Sequence, residues 1–321
     1  MRSVLAAILL AGLAGVYAEE APVTGPVLGY AWDAASARLR PLLGIPGSSI
    51  LGTPIDIGRS LSIAEVSPRQ DYALAADGAS GEVLLVAFAG GRAAVRPLPG
   101  SIGPTERIAI SPGGGAAAVY TGAGPALHVL TGLPDSPAVA AWDLPGPLTA
   151  LAVNDSGDRV VAVSGEQLYW LVRGGDPRPL GPAAAASVLA FLEGSNDALA
   201  ADPARQEVSL LRGESERRIL AGARDGISDP AGVAAVGRKA FVANRGSNTI
   251  VLLDLDGGAP AQIACPCDVA GLQRLRGEAV FRLTDSLRST SYLIEGGPAG
   301  PRLWFVPPEV APGRPARERS R

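Results

Sequence analysis

Few residues in this chain are of the kinds that make or break bonds. Its two cysteines, Cys265 and Cys267, flank a proline in the sequence CPC. Thiols this close can form a small local disulfide in an oxidising compartment, act as a redox pair, or supply two ligands to a metal. Zinc ordinarily takes four ligands, and the single histidine, His128, lies far away in the apolar run PALHVLTG. The main expectation is therefore a bridge or thiol pair that fixes its own loop. His128 as a catalytic base would need a nearby nucleophile and an orienting carboxylate. The chain has no G-x-S-x-G elbow to supply them, so a packed or surface histidine is expected. The stretch DLDGG (residues 254–258) begins like a calcium loop but lacks the later acidic ligands, and reads as a turn. NDSGD (residues 154–158) reads the same way, because SPRQD and EGSND occupy its place in other segments. No phosphate-loop, dinucleotide or zincin motif is present, and no cofactor is implied.

The elements that would position these residues repeat along the chain. Six segments share one plan of apolar strand, short turn and second strand ending on a polar residue: LSIAEVSPRQDYALAAD, RIAISPGGGAAAVYT, TALAVNDSGDRVVAVS, SVLAFLEGSNDALAAD, AGVAAVGRKAFVAN and GLQRLRGEAVFRLT. The last apolar residues of the first strands are Val66, Ile110, Val153, Leu192, Val236 and Leu275, spaced 44, 43, 39, 44 and 39 apart. A period near forty is that of propeller blades made of four antiparallel strands. Two further strands follow in each unit, such as EVLLVAF with AAVRPLP and TIVLLDL with APAQIA. A four-stranded blade cannot bury both faces alone, which accounts for apolar residues on both sides, with Ala and Val dominant.

The second strands end on Asp77, Thr121, Ser164, Asp202, Asn244 and Thr284, side chains suited to bonding a following turn. After Asn244, Gly246 is the expected positive-φ residue of a tight hairpin. The stretch VANRGSNTIVLLD closely resembles the repeat of the YVTN family. Val242, Ala243 and Asn244 fall on its tetrapeptide, Phe241 replaces the leading tyrosine, and Gly-Ser-Asn-Thr with an apolar strand ending in Asp follows. Ser67-Pro68 and Ser111-Pro112 resemble the Ser-Pro turns of the same broad group, which includes lactonase-like and surface-layer propellers. That resemblance implies a propeller, and seven blades. Counting repeats favours six, because VLGYAWDAASARLRPLL (residues 27–43) reads as the third and fourth strands of a blade without a first and second. Residues 44–58 then read as a linker across the seam.

The first 18 residues, with Arg2 ahead of an apolar run and the pattern Val16-Tyr17-Ala18, read as a secretory signal peptide. The expected organisation is a signal peptide at 1–18, one all-β propeller of six to seven blades at 19–306, and a disordered basic tail at 307–321. Net charge is −3, which offers no footprint for nucleic acid, and no second apolar run suits a membrane span. Inner strands should line a channel with Ala, Ile, Leu and Val, leaving Glu65 and Arg107 as charged exceptions. The expected protein is an exported, monomeric, non-catalytic binding or scaffold module for a protein or carbohydrate. Its expected ligand surface is the rim carrying Asp77, Thr121, Ser164, Asp202, Asn244 and Thr284. The family resemblance implies the alternative of a hydrolase acting on a small sugar lactone or ester.

Overall fold

The protein is described here as a computed structural model covering residues 25–308, apart from 90–91, 123–125, 285–286, 288 and 298–299. The segment read as a signal peptide, and the tail beyond residue 308, lie outside the described residues. Seven antiparallel sheets follow one another along the chain. Blade 1 spans residues 27–51, blade 2 61–97, blade 3 105–142, blade 4 148–182, blade 5 188–221, blade 6 230–264 and blade 7 273–306. Blades 2 to 7 have four strands in sequence order, each paired with the next; blade 1 has three. Among the described residues no helix is long and apolar enough to cross a membrane.

Stacking of blades accounts for the composition. The second strands Tyr72–Asp77, Ala116–Thr121 and Ala198–Asp202 are buried at every residue, because both faces meet neighbouring sheets. One apolar cluster fills each gap between blades. Leu74 and Leu85 of blade 2 meet Val119 and Leu130 of blade 3, and the pattern continues round the ring. The ring closes through two such clusters. Leu28 and Leu42 of blade 1 join Leu275 and Leu293 of blade 7, while Tyr30 and Leu39 join Leu61 and Val86 of blade 2. Burying each of these large side chains contributes about 1.5–3 kcal/mol. Polar stitches add register: the Asp155 carboxylate accepts from Gly113 N at 2.6 Å and Gly194 N at 2.7 Å, tying the first turns of blades 3, 4 and 5 together.

Seven blades resolve the count, and the seam corrects the strand assignment. Val27–Asp33 and Arg38–Ile45 are the second and third strands of blade 1, and the outer strand Ser48–Leu51 lies inside the expected linker. Among the described residues blade 1 has no inner strand. Side chains from both neighbouring blades cover part of the bare edge instead. Tyr30 N donates to Gln70 Oε1 at 2.6 Å, and Gln273 Nε2 donates to Tyr30 O at 2.8 Å. Arg276 donates from its backbone N to Leu28 O and from its guanidinium to Val27 O. Gln70 is fully buried, and its amide nitrogen also bonds Arg274 O, so one residue joins blades 7, 1 and 2.

The hairpin after Asn244 holds a second correction. The positive φ falls on Asn248 (51°), not on Gly246. Gly246 is required for proximity: a Cβ there would lie 2.6 Å from Ser228 Oγ and 3.1 Å from Asp229 Cβ. The connection into blade 6 passes too close to the turn for any side chain.

Candidate functional site

Within each complete blade the chain runs from the inner strand outward, so two faces differ. Turns between first and second strands, and between third and outer strands, open on one face, the turn face. Turns between second and third strands share the other, the connection face, with the links between blades. The inner strands surround a channel. At the turn face it widens into a cavity of about 510 Å³. Part of its wall is apolar: Ile108 and Ile110, Leu151 and Val153, Leu189 and Phe191, Leu272 and Phe281, one pair from each of four blades. In blades 3, 4 and 5 these lie toward the turn end of the inner strand; in blade 7 Leu272 immediately precedes the inner strand and Phe281 belongs to the second.

Glu65, Arg69, Glu193 and Arg274 set charge against this wall. Arg69 is engaged, with Nε 3.1 Å from Asp71 and NH2 donating to Gly114 O and Leu133 O. Arg274 lies with its guanidinium carbon 5.2 Å from the Phe281 ring centroid, a cation–π arrangement. One of its terminal nitrogens donates to the Gly277 and Glu278 carbonyls of its own turn. Burial pulls this guanidinium below the ordinary arginine value, with Glu193 and Glu278 opposing the shift. A cation held against an aromatic face with little water is poised for an anionic group, since charge interactions strengthen as water is excluded. At the connection face the channel continues into a second cavity, of about 450 Å³, beside blade 1. The two cavities share Glu65, Val66, Val188, Leu189, Leu272 and Gln273.

Five of the six residues end their second strands on the connection face, Thr284 lies two residues beyond Arg282, the last of its strand, and their roles diverge. Asp77 accepts from Ala79 N and Ser80 N and pairs with Arg59; these backbone bonds, followed by the smaller Arg59 contribution, outweigh desolvation and hold its carboxyl below the ordinary value. Asp202 accepts from Ala184 N, Ala204 N and Arg205 N. Asn244 accepts from Ser228 N and donates to Gly226 O and Thr249 Oγ1. Thr121 donates to Ala126 O at 3.4 Å. Ser164 is only half-buried. Thr284 differs: its hydroxyl is buried without a hydrogen-bond partner, and the residue lines the second cavity.

Other candidates settle into local roles. Cys265 and Cys267 are joined by a disulfide in the link from blade 6 to blade 7, and neither lines the channel cavities. His128 sits mid-strand between Val119 and Ala141, and burial lowers its pKa. Asp254 Oδ1 accepts from Asp256 N in a turn, and Asp256 pairs with Arg238. Among the described residues no group of three or more His, Cys, Asp or Glu could hold a metal ion. Glu65 faces the channel, whereas Arg107 lines a shallower recess with Glu106, Thr149 and Ser187. Arg274, inside the first strand GLQRLRG, went unmarked in the sequence because a lone arginine beside another gives no pattern.

The sequence matches no model of a known protein family and no curated protein. Many solved structures share the fold. A functionally unknown protein from Desulfotomaculum acetoxidans is 10% identical with a TM-score of 0.58, over 88% of this chain and 100% of that one. Virginiamycin B lyase from Staphylococcus aureus, in an inactive histidine-to-alanine form with quinupristin, is 12% identical with a TM-score of 0.56, over 76% and 83%. The propeller domain of Myceliophteria thermophila Cps50 (Swd1) is 12% identical with a TM-score of 0.52, over 81% and 92%. At these identities the likeness shows a shared propeller architecture and nothing of activity.

Proposed function

We propose that this chain is a non-catalytic binding propeller whose ligand seat is the turn-face mouth of the channel. The ligand is a compact molecule with an apolar body and an acidic group. One observation carries the reading: Arg274, partly desolvated over Phe281, stands beside the apolar residues of a wall that also carries Glu65, Arg69 and Glu193. Apolar concavity with a few placed polar groups is the usual form of a small-molecule site. The catalytic alternative, a lactonase-like hydrolase, would require a nucleophile and base facing the channel. Among the described residues that line it, there is no serine, threonine, cysteine or histidine, and its carboxylates, Glu65 and Glu193, come from different blades. The solved lyase of similar fold is inactive without one histidine. The only histidine here, His128, lies in a third strand and outside both cavities. The ring of Asp77, Thr121, Ser164, Asp202 and Asn244 is read as scaffolding for its own face. We further propose that the protein works after export, on the strength of the leader pattern in residues 1–18 and the paired cysteines.

The test is a melting-temperature screen of the protein against aliphatic and aromatic carboxylates, their amides, sugar lactones and divalent metals. Carboxylates raise the melting temperature, the matching amides do so far less, and Arg274→Met abolishes the difference. Consumption of a lactone during incubation, or shifts that ignore Arg274→Met, contradicts the reading.

A further inference from the structure

The charges at the turn-face mouth are not all answered where they stand. Its wall carries two guanidinia, Arg69 and Arg274, and two carboxylates, Glu65 and Glu193. Arg69 is engaged already, with Asp71 3.1 Å away and two carbonyls of blade 3 on its terminal nitrogen. Arg274 instead bonds the uncharged Gly277 and Glu278 carbonyls, which tie it to the turn of blade 7. The carboxylate that acts most strongly on it is Glu193. Yet among the described residues the two do not meet as an ion pair. Glu193 stands exposed in the first turn of blade 5, and no described group bonds its carboxylate. Blade 6 lies between blades 5 and 7 in the ring. There the cavity is lined by Ala234 and Ala235, whose side chains are too short to bridge the two charges.

A plain carboxylate entering this mouth gains Arg274 and at the same time meets Glu193 and Glu65. Like charges repel more strongly in a cavity with little water than in bulk solvent. A molecule that carries an ammonium group as well as a carboxylate answers both signs. Discrimination of this kind combines an attraction with a built-in repulsion of the competitor. We propose that the turn-face seat takes a small zwitterion with an apolar body, a free apolar amino acid or a short apolar peptide, with its carboxylate on Arg274 and its ammonium group on Glu193. The apolar body lies against Leu189, Phe191 and Leu272. A cavity of about 510 Å³ is within the range of small-molecule sites. This proposal rests on the reading of the seat as a site for an acidic group, and adds the second charge.

The test is calorimetric titration of the full chain with leucine, with leucyl-leucine, and with isocaproate, which is leucine without its amine. At least one of the two zwitterions binds about fivefold more tightly than isocaproate, the scale of one partly exposed charge pair. Glu193→Gln keeps the shape and removes the charge. It erases the advantage by weakening the zwitterion, while isocaproate binds as well as before or better. Arg274→Met weakens all three. A tighter leucine assigns the seat to amino acids, and a tighter leucyl-leucine assigns it to peptides. Isocaproate that matches both zwitterions and still depends on Arg274 overturns the proposal and leaves the acid seat standing. So does a zwitterion advantage untouched by Glu193→Gln. Absence of binding by all three, or binding indifferent to Arg274→Met, overturns the seat and the proposal with it.

Discussion

Blade 6 and blade 1 solve one problem in two ways. In blade 6 the second strand Lys239–Asn244 lies between an inner and a third strand, and backbone partners serve it on both sides. In blade 1 the second strand has a third strand on one side and, on the other, two glutamines and an arginine drawn from blades 2 and 7. An amide side chain carries the same donor and acceptor as a peptide group. It can therefore close a ring without a strand, but only where it reaches. Gln70 takes this position on a backbone with φ of 61°, at the tip of the first turn of blade 2. The comparison teaches that the seam is held by a few side chains, while other blades are held by a ladder.

That contrast predicts unequal fragility. Gln70→Ala strips the buried partners from Tyr30 N and Arg274 O at once and should cost about 3 kcal/mol, read as a lower urea midpoint with an unchanged slope. A loss below about 1 kcal/mol would mean that the apolar clusters alone close the ring. In blade 6, Asn244→Ala removes three hydrogen bonds made by a fully buried side chain and should cost about 2 kcal/mol. The equivalent Thr121→Ala in blade 3, with one long bond, should cost about 0.5 kcal/mol. Equal costs for these two would break the view that one sequence position serves each blade differently.

The smallest effect concerns acid. Burial pushes the Asp158 carboxyl up, but hydrogen bonds from Ser156, Asn154 and Arg159 outweigh it and bring the pKa down to about 2. A carboxylate whose pKa is lowered on folding adds stability above its unfolded pKa of about 3.9, and that stability is lost as pH falls toward 2. The side chain is 41% exposed, so solvent screening keeps the contribution below about 1 kcal/mol. Asp158→Asn should flatten the fall in melting temperature between pH 4 and about 2; an unaltered acid limb would show that the turn of blade 4 has no such ionic part.

The ladder was legible in the sequence and the seam was not. Strand pairs such as RVVAVS with QLYWLV announce themselves because both faces of an interior strand are apolar and a turn residue ends each one. The seven-blade expectation that came with the family resemblance matches the structure; the repeat count of six fell short. The count failed at Ser48–Leu51, four residues long and half polar, which looks like linker because an outer strand packs on one face only. Gln70 was visible only as part of the turn SPRQD, and nothing local distinguishes a glutamine that caps its own turn from one that reaches 40 residues back to Tyr30. The channel was legible as apolar walls with Glu65. Arg274 became significant only once the fold set it over Phe281.

Amide hydrogen exchange within a single strand tests the account of the seam most directly. Tyr30 N–H is held by a buried glutamine, whereas Trp32, two residues further along the same strand, lines the connection-face cavity. The account predicts that the Tyr30 amide exchanges at least about a hundredfold more slowly than the Trp32 amide, with Gln70→Ala erasing the difference. Equal protection of the two amides in the native chain would contradict it.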